Sequence, residues 1–176
     1  MDILAFVTSR RSNTEKLFRA FKKVCEEEGH TVNHIYYSNT MKPCTGCKAC
    51  TKLGKCAIDD DITKALKQDF DAIVIVSPVY FFSLSSRAET FLNRLYSVKL
   101  DNKALGLILP SGSEGLEGGI DLIKSRFDRI DSYCGTVTAP IFNKVTHDKD
   151  LPVTNWDIKC LKRLLCDLEE RCTEST

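Results

Sequence analysis

The amino-acid sequence predicts a doubly wound α/β domain, in which a five-stranded parallel sheet carries helices on both faces. Short apolar runs alternate with longer amphipathic segments along the chain, which is the pattern of successive βαβ units. Residues 71–77, DAIVIVS, are apolar at almost every position, as expected of a strand buried on both faces of a parallel sheet. The 176 residues contain no internal repeat and no linker, so we expect residues 1–176 to form a single domain.

Five apolar runs have the length and composition of strands. They cover residues 2–8, 31–37, 71–77, 104–110 and 136–142. Pro140 cannot donate a ladder hydrogen bond, so the fifth run is expected at an edge of the sheet. Right-handed crossovers would bring the carboxyl ends of the strands to one edge, where ligands of such sheets bind.

The segments between the strands predict helices by their apolar stripes. The first helix is expected to end near Gly29, which stands where a C-terminal cap belongs. Its apolar face consists of Leu17, Phe18, Phe21, Val24 and Cys25. Further helices are expected over residues 62–68, 86–97 and 120–132, and after Asn155.

Charge and composition narrow the functional classes. Lys and Arg number 25 against 24 Asp and Glu, a net charge of +1, which argues against nucleic acid or an anionic membrane as partner. The opening residues MDILAFVTSRR lack the basic region and the apolar length of a signal peptide, and no run has transmembrane length. We therefore expect a cytoplasmic protein whose nine cysteines serve as metal ligands or buried apolar residues.

The loop after the first strand predicts a phosphate site. TSRRSNT, residues 8–14, is rich in hydroxyl groups and leads into a helix N-terminus, where backbone N–H groups and the helix dipole favour anions. Arg10 or Arg11 can supply positive charge, although a capped surface turn would have a similar composition. The dinucleotide and P-loop glycine motifs are both absent from this segment. The predicted phosphate ligands are Ser9, Arg10, Ser12, Asn13 and Thr14.

The loops after the third and fourth strands predict the walls of a planar-ring site. SPVYFFS, residues 77–83, places three aromatic residues at a strand end, where they could face a flat ligand or pack beneath the next helix. Residues 110–119, PSGSEGLEGG, contain glycines that would let the backbone come close to a ligand. An ordinary mobile loop would have the same composition. The predicted contacts are Pro78, Val79, Tyr80, Phe81, Phe82 and Ser83, with Ser111, Gly112, Ser113 and Gly115 on the other ring edge or the ribityl chain.

Together these three loops describe a site for a mononucleotide with a planar ring, and FMN fits that description. The chain resembles the flavodoxin-like NAD(P)H-dependent FMN reductase family from its start to about residue 145. The resemblance is carried by the hydroxyl-rich first loop, by SPVYFFSLSSRAETFLNRL and by the Gly/Ser loop. Relatives usually begin the first loop with Gly-Ser, where this chain has Thr8 and Ser9. The resemblance implies NAD(P)H as electron donor, a small-molecule acceptor such as a flavin or quinone, and a homodimer or homotetramer. No side chain is assigned as an acid or base, because hydride reduction of a flavin needs none.

A cysteine-rich loop at residues 41–61 holds the spacing C-x2-C-x2-C-x5-C, formed by Cys44, Cys47, Cys50 and Cys56. Cysteines this close along the chain make poor disulfide pairs, and structural zinc usually takes two separate C-x2-C pairs. A C-x2-C-x2-C run is instead typical of a [4Fe–4S] cluster. Residues 38–61 show no convincing helix or strand, and such long connections are usually functional. Zinc and unligated, redox-active thiols stay open as alternatives.

CTGCKACTKLGKCAIDDDI resembles the compact cysteine motif of the iron–sulfur flavoproteins, a branch of the same family. That resemblance implies electron transfer from a ferredoxin-like donor to a small acceptor through FMN and a [4Fe–4S] cluster. Two alternatives remain: an NAD(P)H-dependent FMN or quinone reductase without a cluster, and a non-enzymatic, zinc-stabilised module without a flavin. A low-molecular-weight phosphatase is excluded, because no cysteine is followed six residues later by arginine.

Overall fold

The computed structural model describes residues 1–112, 117–134, 137–138, 141–146 and 151–173. The strands in chain order are β1 (Asp2–Val7), β2 (Thr31–Tyr36), β3 (Ala72–Val76), β4 (Val79–Tyr80), β5 (Ser83–Leu84), β6 (Ala104–Ser111), β7 (Val137–Thr138) and β8 (Phe142–Val145). The helices are α1 (Asn13–Glu27), α2 (Cys50–Leu53), α3 (Asp61–Ala65), α4 (Ser86–Leu92), α5 (Glu117–Cys134) and α6 (Asn155–Thr173), with a 3₁₀ turn at Leu95–Ser97.

The main sheet is parallel and has the order β2-β1-β3-β6, with β7 and β8 both paired to β6. Strand order reverses between β1 and β3, and Val7 is the register partner of Val76 there. The Thr8 N–H donates to the Val76 carbonyl at 3.1 Å and the Ser77 N–H to the Ile108 carbonyl at 3.1 Å. Three loops therefore leave the sheet side by side at its carboxyl edge, which confirms the predicted fold class.

Two apolar cores lie on opposite faces of the sheet because successive strand side chains alternate in direction. On β1, Ile3, Ala5 and Val7 pack with α1 and α6, whereas Leu4 and Phe6 pack with α3, α4 and α5. The predicted face of α1 is buried as expected. Ser12 caps the start of α1 by accepting the Glu15 N–H at 3.4 Å.

Several sequence expectations differ from the structure in extent. At the fifth strand position the structure describes β7 and β8, which reach Val145 rather than residue 142; residues 136, 139 and 140, and with them the expectation for Pro140, lie outside the described part of the chain. The helix expected over residues 86–97 ends at Leu92, and the 3₁₀ turn follows. The cysteine-rich loop contains the one-turn helix α2, and the aromatic loop folds into the antiparallel β4–β5 hairpin. Within the described ranges, none of the helices is long and apolar enough to cross a bilayer.

Candidate functional site

One cavity of about 360 Å³ lies at the carboxyl edge of the sheet, and all three predicted loops line it. Its volume falls within the usual range of small-molecule sites. The lining residues are Ser9, Arg11, Ser12, Asn13, Thr14, Pro78, Val79, Tyr80, Pro110, Ser111, Gly112 and Thr146. Strand topology alone brings these distant segments together. We call this space the edge cavity.

Several predicted contacts lie away from the edge cavity or outside the described residues. Arg10 does not line it: its guanidinium stacks over the Tyr36 ring, 4.6 Å from the ring centroid. Phe81, Phe82 and Ser83 are exposed on the β4–β5 hairpin and are likewise not among the lining residues. Ser113 and Gly115 fall in residues 113–116, which the structure does not describe.

Three lining residues were not among the predicted ligands: Arg11, Pro110 and Thr146. Arg11 was considered only beside Arg10; it has a left-handed backbone (φ 54°) and lines both the edge cavity and the adjoining basic cavity. Thr146 follows β8, and its N–H and hydroxyl donate to the Ser111 carbonyl at 2.6 and 3.1 Å. Because the sequence placed the end of the edge strand too early, it gave no reason to look at Thr146.

The hydroxyl groups of the first loop are held in place by short hydrogen bonds. Thr8 is buried, and its hydroxyl donates to the Val76 carbonyl at 3.1 Å. The Ser9 and Ser12 hydroxyl oxygens lie 2.7 Å apart. Thr8 is not among the described residues with positive φ, so a β-branched residue occupies this position without backbone strain.

Glu15 joins the first turn of α1 to a second, basic cavity of about 610 Å³ beside the first. Its carboxylate accepts the Arg11 N–H, the Arg19 guanidinium at 2.9 Å and the Tyr36 hydroxyl at 3.0 Å. The hydrogen bond from the Arg11 backbone, followed by that from Arg19, holds the pKa of Glu15 below its ordinary value. Burial, and then the charges of Lys22, Arg19 and Arg10, lower the pKa of His34 in the same cavity.

The β4–β5 hairpin is strained at its turn. Phe81 and Phe82 have φ of 50° and 61°, values that two-residue hairpins need but that bulky residues rarely adopt. Phe81 is 96% exposed. Phe82 lies against α5, where a Cβ added at Gly119 would come within 3.0 Å of the Phe82 ring. The hairpin is fastened to β3 by the Ser77 and Ser85 hydroxyl groups, 3.0 Å apart.

The four cysteines of the cysteine-rich loop line a single cavity of about 220 Å³, which we call the cysteine cavity. Cys44 and Cys47 are exposed, Cys50 and Cys56 are half-buried, and all four are free of disulfide bonds. The loop winds around this space through three left-handed residues, which are Gly46, Lys48 and Gly54. The two glycines adopt this conformation at no steric cost.

Hydrogen bonds to sulfur prepare this loop for thiolates. The Gly46 N–H donates to Cys44 Sγ at 3.4 Å. The Ala49 backbone and the Thr45 side chain, in that order, lower the pKa of the Cys47 thiol. Across the described ranges, no three His, Cys, Asp or Glu side chains converge closely enough to hold one metal ion. The thiols therefore surround the cysteine cavity without forming a compact single-ion site.

Arg94 also lines the cysteine cavity and was missed by the sequence analysis, which placed it inside a helix. Its side chain is fully buried and pairs with the buried carboxylate of Asp60, with N–O distances of 3.0 and 3.1 Å. Burial alone would raise the pKa of Asp60, but the hydrogen bonds from Arg94 and from the Lys42 and Thr63 N–H groups together lower it. Asp60 follows the motif and caps α3 through Thr63.

Comparison with known proteins identifies relatives over most of the chain. The family model for the NADPH-dependent FMN reductases matches residues 1–143. An iron–sulfur flavoprotein of Methanocaldococcus jannaschii is 32% identical over 124 residues, 65% of this chain and 64% of that protein. Two from Archaeoglobus fulgidus are 33% identical over 86 residues (47% of this chain) and 32% identical over 125 residues (68% of this chain). The matched regions span 39% and 62% of those two proteins, so each curated relative is covered for less than two thirds of its length.

Solved structures agree in fold. RosB with a bound flavin-derived intermediate superposes with a TM-score of 0.68 at 17% identity, over 99% of this chain and 79% of that one. A flavodoxin from the domain Archaea gives a TM-score of 0.64 at 17% identity, over 98% and 99% of the two chains. The chain therefore has the flavodoxin-like fold and belongs to the NADPH-dependent FMN reductase family, and it is similar to the iron–sulfur flavoproteins.

Proposed function

We propose that this protein is an FMN-dependent oxidoreductase that binds FMN in the edge cavity and a [4Fe–4S] cluster in the cysteine cavity. The observation that carries the flavin assignment is the convergence of three separate loops on one cavity at the strand-order reversal. Its lining combines hydroxyl groups, Arg11 and the N-terminus of α1 with Pro78, Val79 and Tyr80. This is the donor set that a phosphate and a planar ring require.

The cluster assignment rests on the fit of the cysteine cavity. Four thiols line one cavity of about 220 Å³, and a [4Fe–4S] cluster is held by four cysteine thiolates around one enclosed volume. A buried nitrogen of Arg94, Nε, has no hydrogen-bond partner in the described protein. A buried unpaired donor beside four thiols is what a site for an anionic cluster would contain.

The chain's own groups would bind and orient the cofactors. Ser9, Ser12 and Thr14, with Arg11, would hold the phosphate, and the backbone of Pro78–Tyr80 and of Ser111–Gly112 would orient the ring. Cys44, Cys47, Cys50 and Cys56 would hold the iron. When bound, FMN supplies two-electron chemistry and the cluster exchanges single electrons.

The proposed donor is NAD(P)H or a ferredoxin-like protein, and the proposed acceptor is a small molecule.

Among the described residues, the edge and cysteine cavities share no lining residue. Arg87 in the first turn of α4 donates to the Thr8 carbonyl at 3.0 Å, whereas Asn93 and Arg94 beyond its last turn line the cysteine cavity. The seven residues of α4 span about 10 Å. We also propose a homodimer or homotetramer, in which the cluster of one chain could lie beside the flavin of its neighbour.

Anaerobic purification tests the proposal directly, with a visible spectrum and assays for flavin, iron and acid-labile sulfide. We expect one flavin, four irons and four sulfides per chain. Cys47→Ser should remove iron and sulfide but leave FMN bound, because the two cavities are separate. Cys166→Ser, at an exposed free thiol on α6, is the matched control and should change neither. Flavin without iron in the wild type would leave a cluster-free FMN reductase, and failure to bind added FMN would overturn the assignment altogether.

A further inference from the structure

The guanidinium of Arg94 connects both ends of the cysteine-rich loop. Nη1 donates to the Lys42 carbonyl at 2.9 Å, two residues before Cys44, and to Asp60 Oδ2 at 3.0 Å. Nη2 donates to Asp60 Oδ1 at 3.1 Å, to the Ile58 carbonyl at 3.3 Å and to the Thr63 hydroxyl. Both of the terminal nitrogens are thus bound to segments that flank the four cysteines.

The fifth N–H of this guanidinium, on Nε, differs from the other four because it has no acceptor among the described residues. Arg94 is 1% exposed, and its Nε has no hydrogen-bond partner in the described protein. A buried donor on a charged group is costly to leave unpaired. Arg94 is one of the residues that line the cysteine cavity, and the acceptors of a filled cavity would be sulfur atoms.

We infer that Arg94 is a positioning residue for the cluster: its terminal nitrogens hold the loop, and its Nε–H donates to a cysteine thiolate or a sulfide. This inference rests on the proposed cluster. Hydrogen bonds to sulfur stabilise the more negative, reduced cluster and thereby raise its reduction potential. Because Asp60 already balances the Arg94 charge, the directed hydrogen bond rather than net charge carries this effect.

Lysine cannot replace arginine here. It would keep the positive charge opposite Asp60, but it lacks the planar fork that reaches both ends of the loop and has no Nε–H along the stem. Arg94→Lys therefore keeps the positive charge and removes the hydrogen-bonding geometry of the guanidinium. Arg163→Lys is the matched control, since Arg163 is an exposed arginine of α6 that pairs with Asp167 at 2.9 Å.

Wild type, R94K and R163K should each be reconstituted anaerobically with ferrous iron and sulfide, after FMN binding has shown that each is folded. Iron release to a chelator and the midpoint potential of the cluster are then measured. We expect R94K to release iron about 10- to 100-fold faster and to have a more negative potential, with R163K unchanged. Should R94K not fold, the double variant D60N/R94Q removes both members of the buried pair and should show the same two losses.

The outcomes separate the inference from the proposal beneath it. A wild type that takes up no iron and sulfide overturns the cluster, and the role of Arg94 with it. A wild type that takes up both, beside an R94K variant with unchanged iron release and potential, overturns the role of Arg94 alone.

Discussion

At the scale of single residues, the clearest distinction lies between two neighbouring arginines. Arg11 lines both the edge cavity and the adjoining basic cavity, whereas Arg10 lines the basic cavity, where it stacks on Tyr36, and not the edge cavity. The backbone of Arg11 is left-handed, with φ of 54°. Only Arg11 is therefore placed to contact a phosphate at the N-terminus of α1.

This placement predicts that Arg11→Asn weakens FMN binding about tenfold, because a hydrogen bond to a charged group contributes about 1.5 kcal/mol. Asparagine tolerates the left-handed backbone, so the change removes the charge without adding strain. Arg10→Asn is the matched control and should leave the Kd within a factor of about two. Fluorescence titration of the flavin-free protein measures both, and a larger loss in the Arg10 variant would refute the assignment.

At the scale of elements, the β4–β5 hairpin keeps two aromatic residues where its turn favours asparagine and glycine. Backbone strain of this kind costs about 1–3 kcal/mol per residue and is concentrated at functional sites. Phe81, being almost wholly exposed, gains little from packing within the chain. The strain at Phe81 is therefore not offset by local burial.

Phe81→Asn should accordingly raise the unfolding free energy of the flavin-free protein by about 1 kcal/mol. Phe81→Ala, which keeps a Cβ in the left-handed region, should change it by less than about 0.5 kcal/mol. Urea denaturation of both variants decides the matter. Equal stabilisation by alanine and asparagine would mean that turn strain is not the cause.

At the scale of the whole molecule, a buried ion pair fastens the last helix to the edge of the sheet. Asp157 at the start of α6 accepts hydrogen bonds from Lys144 of β8 at 2.5 Å and from the Thr154 N–H at 2.7 Å. Burial alone would raise the pKa of Asp157, but Lys144 and Thr154 together hold it below its ordinary value. The folded state therefore binds the proton of Asp157 less readily than the unfolded chain does.

The sign of the pH dependence follows. A carboxylate whose pKa is lowered by folding stabilises the folded state fully at pH values above its pKa in the unfolded chain, about 3.9. This stabilisation is lost as the pH falls through its pKa in the folded protein. Asp157→Asn should cost about 2 kcal/mol at pH 7, and its deficit against wild type should shrink between pH 5 and pH 3. Asp128→Asn, at an exposed position of α5, should show no such convergence. Urea unfolding at several pH values measures these differences; a constant deficit for Asp157→Asn would contradict the linkage.

The sequence predicts the sheet and the edge cavity well because both depend on strand pattern and topology. Residues as distant as Ser12, Tyr80 and Ser111 meet for that reason alone. Side-chain direction within loops does not follow from strand pattern, so the sequence could not show that Arg11 rather than Arg10 lines the edge cavity. Arg94 could not be recognised, since its helical periodicity continues past the point where α4 ends.

Two of the four motif cysteines, Cys44 and Cys47, are exposed to solvent, and this exposure has a practical consequence. Dioxygen and peroxide reach such sulfurs directly, and a sulfenic acid or a disulfide can no longer ligate iron. If FMN and the cluster bind as proposed, protein handled in air should thus be yellow yet poor in iron, and treatment with a thiol reductant should restore its capacity for iron and sulfide.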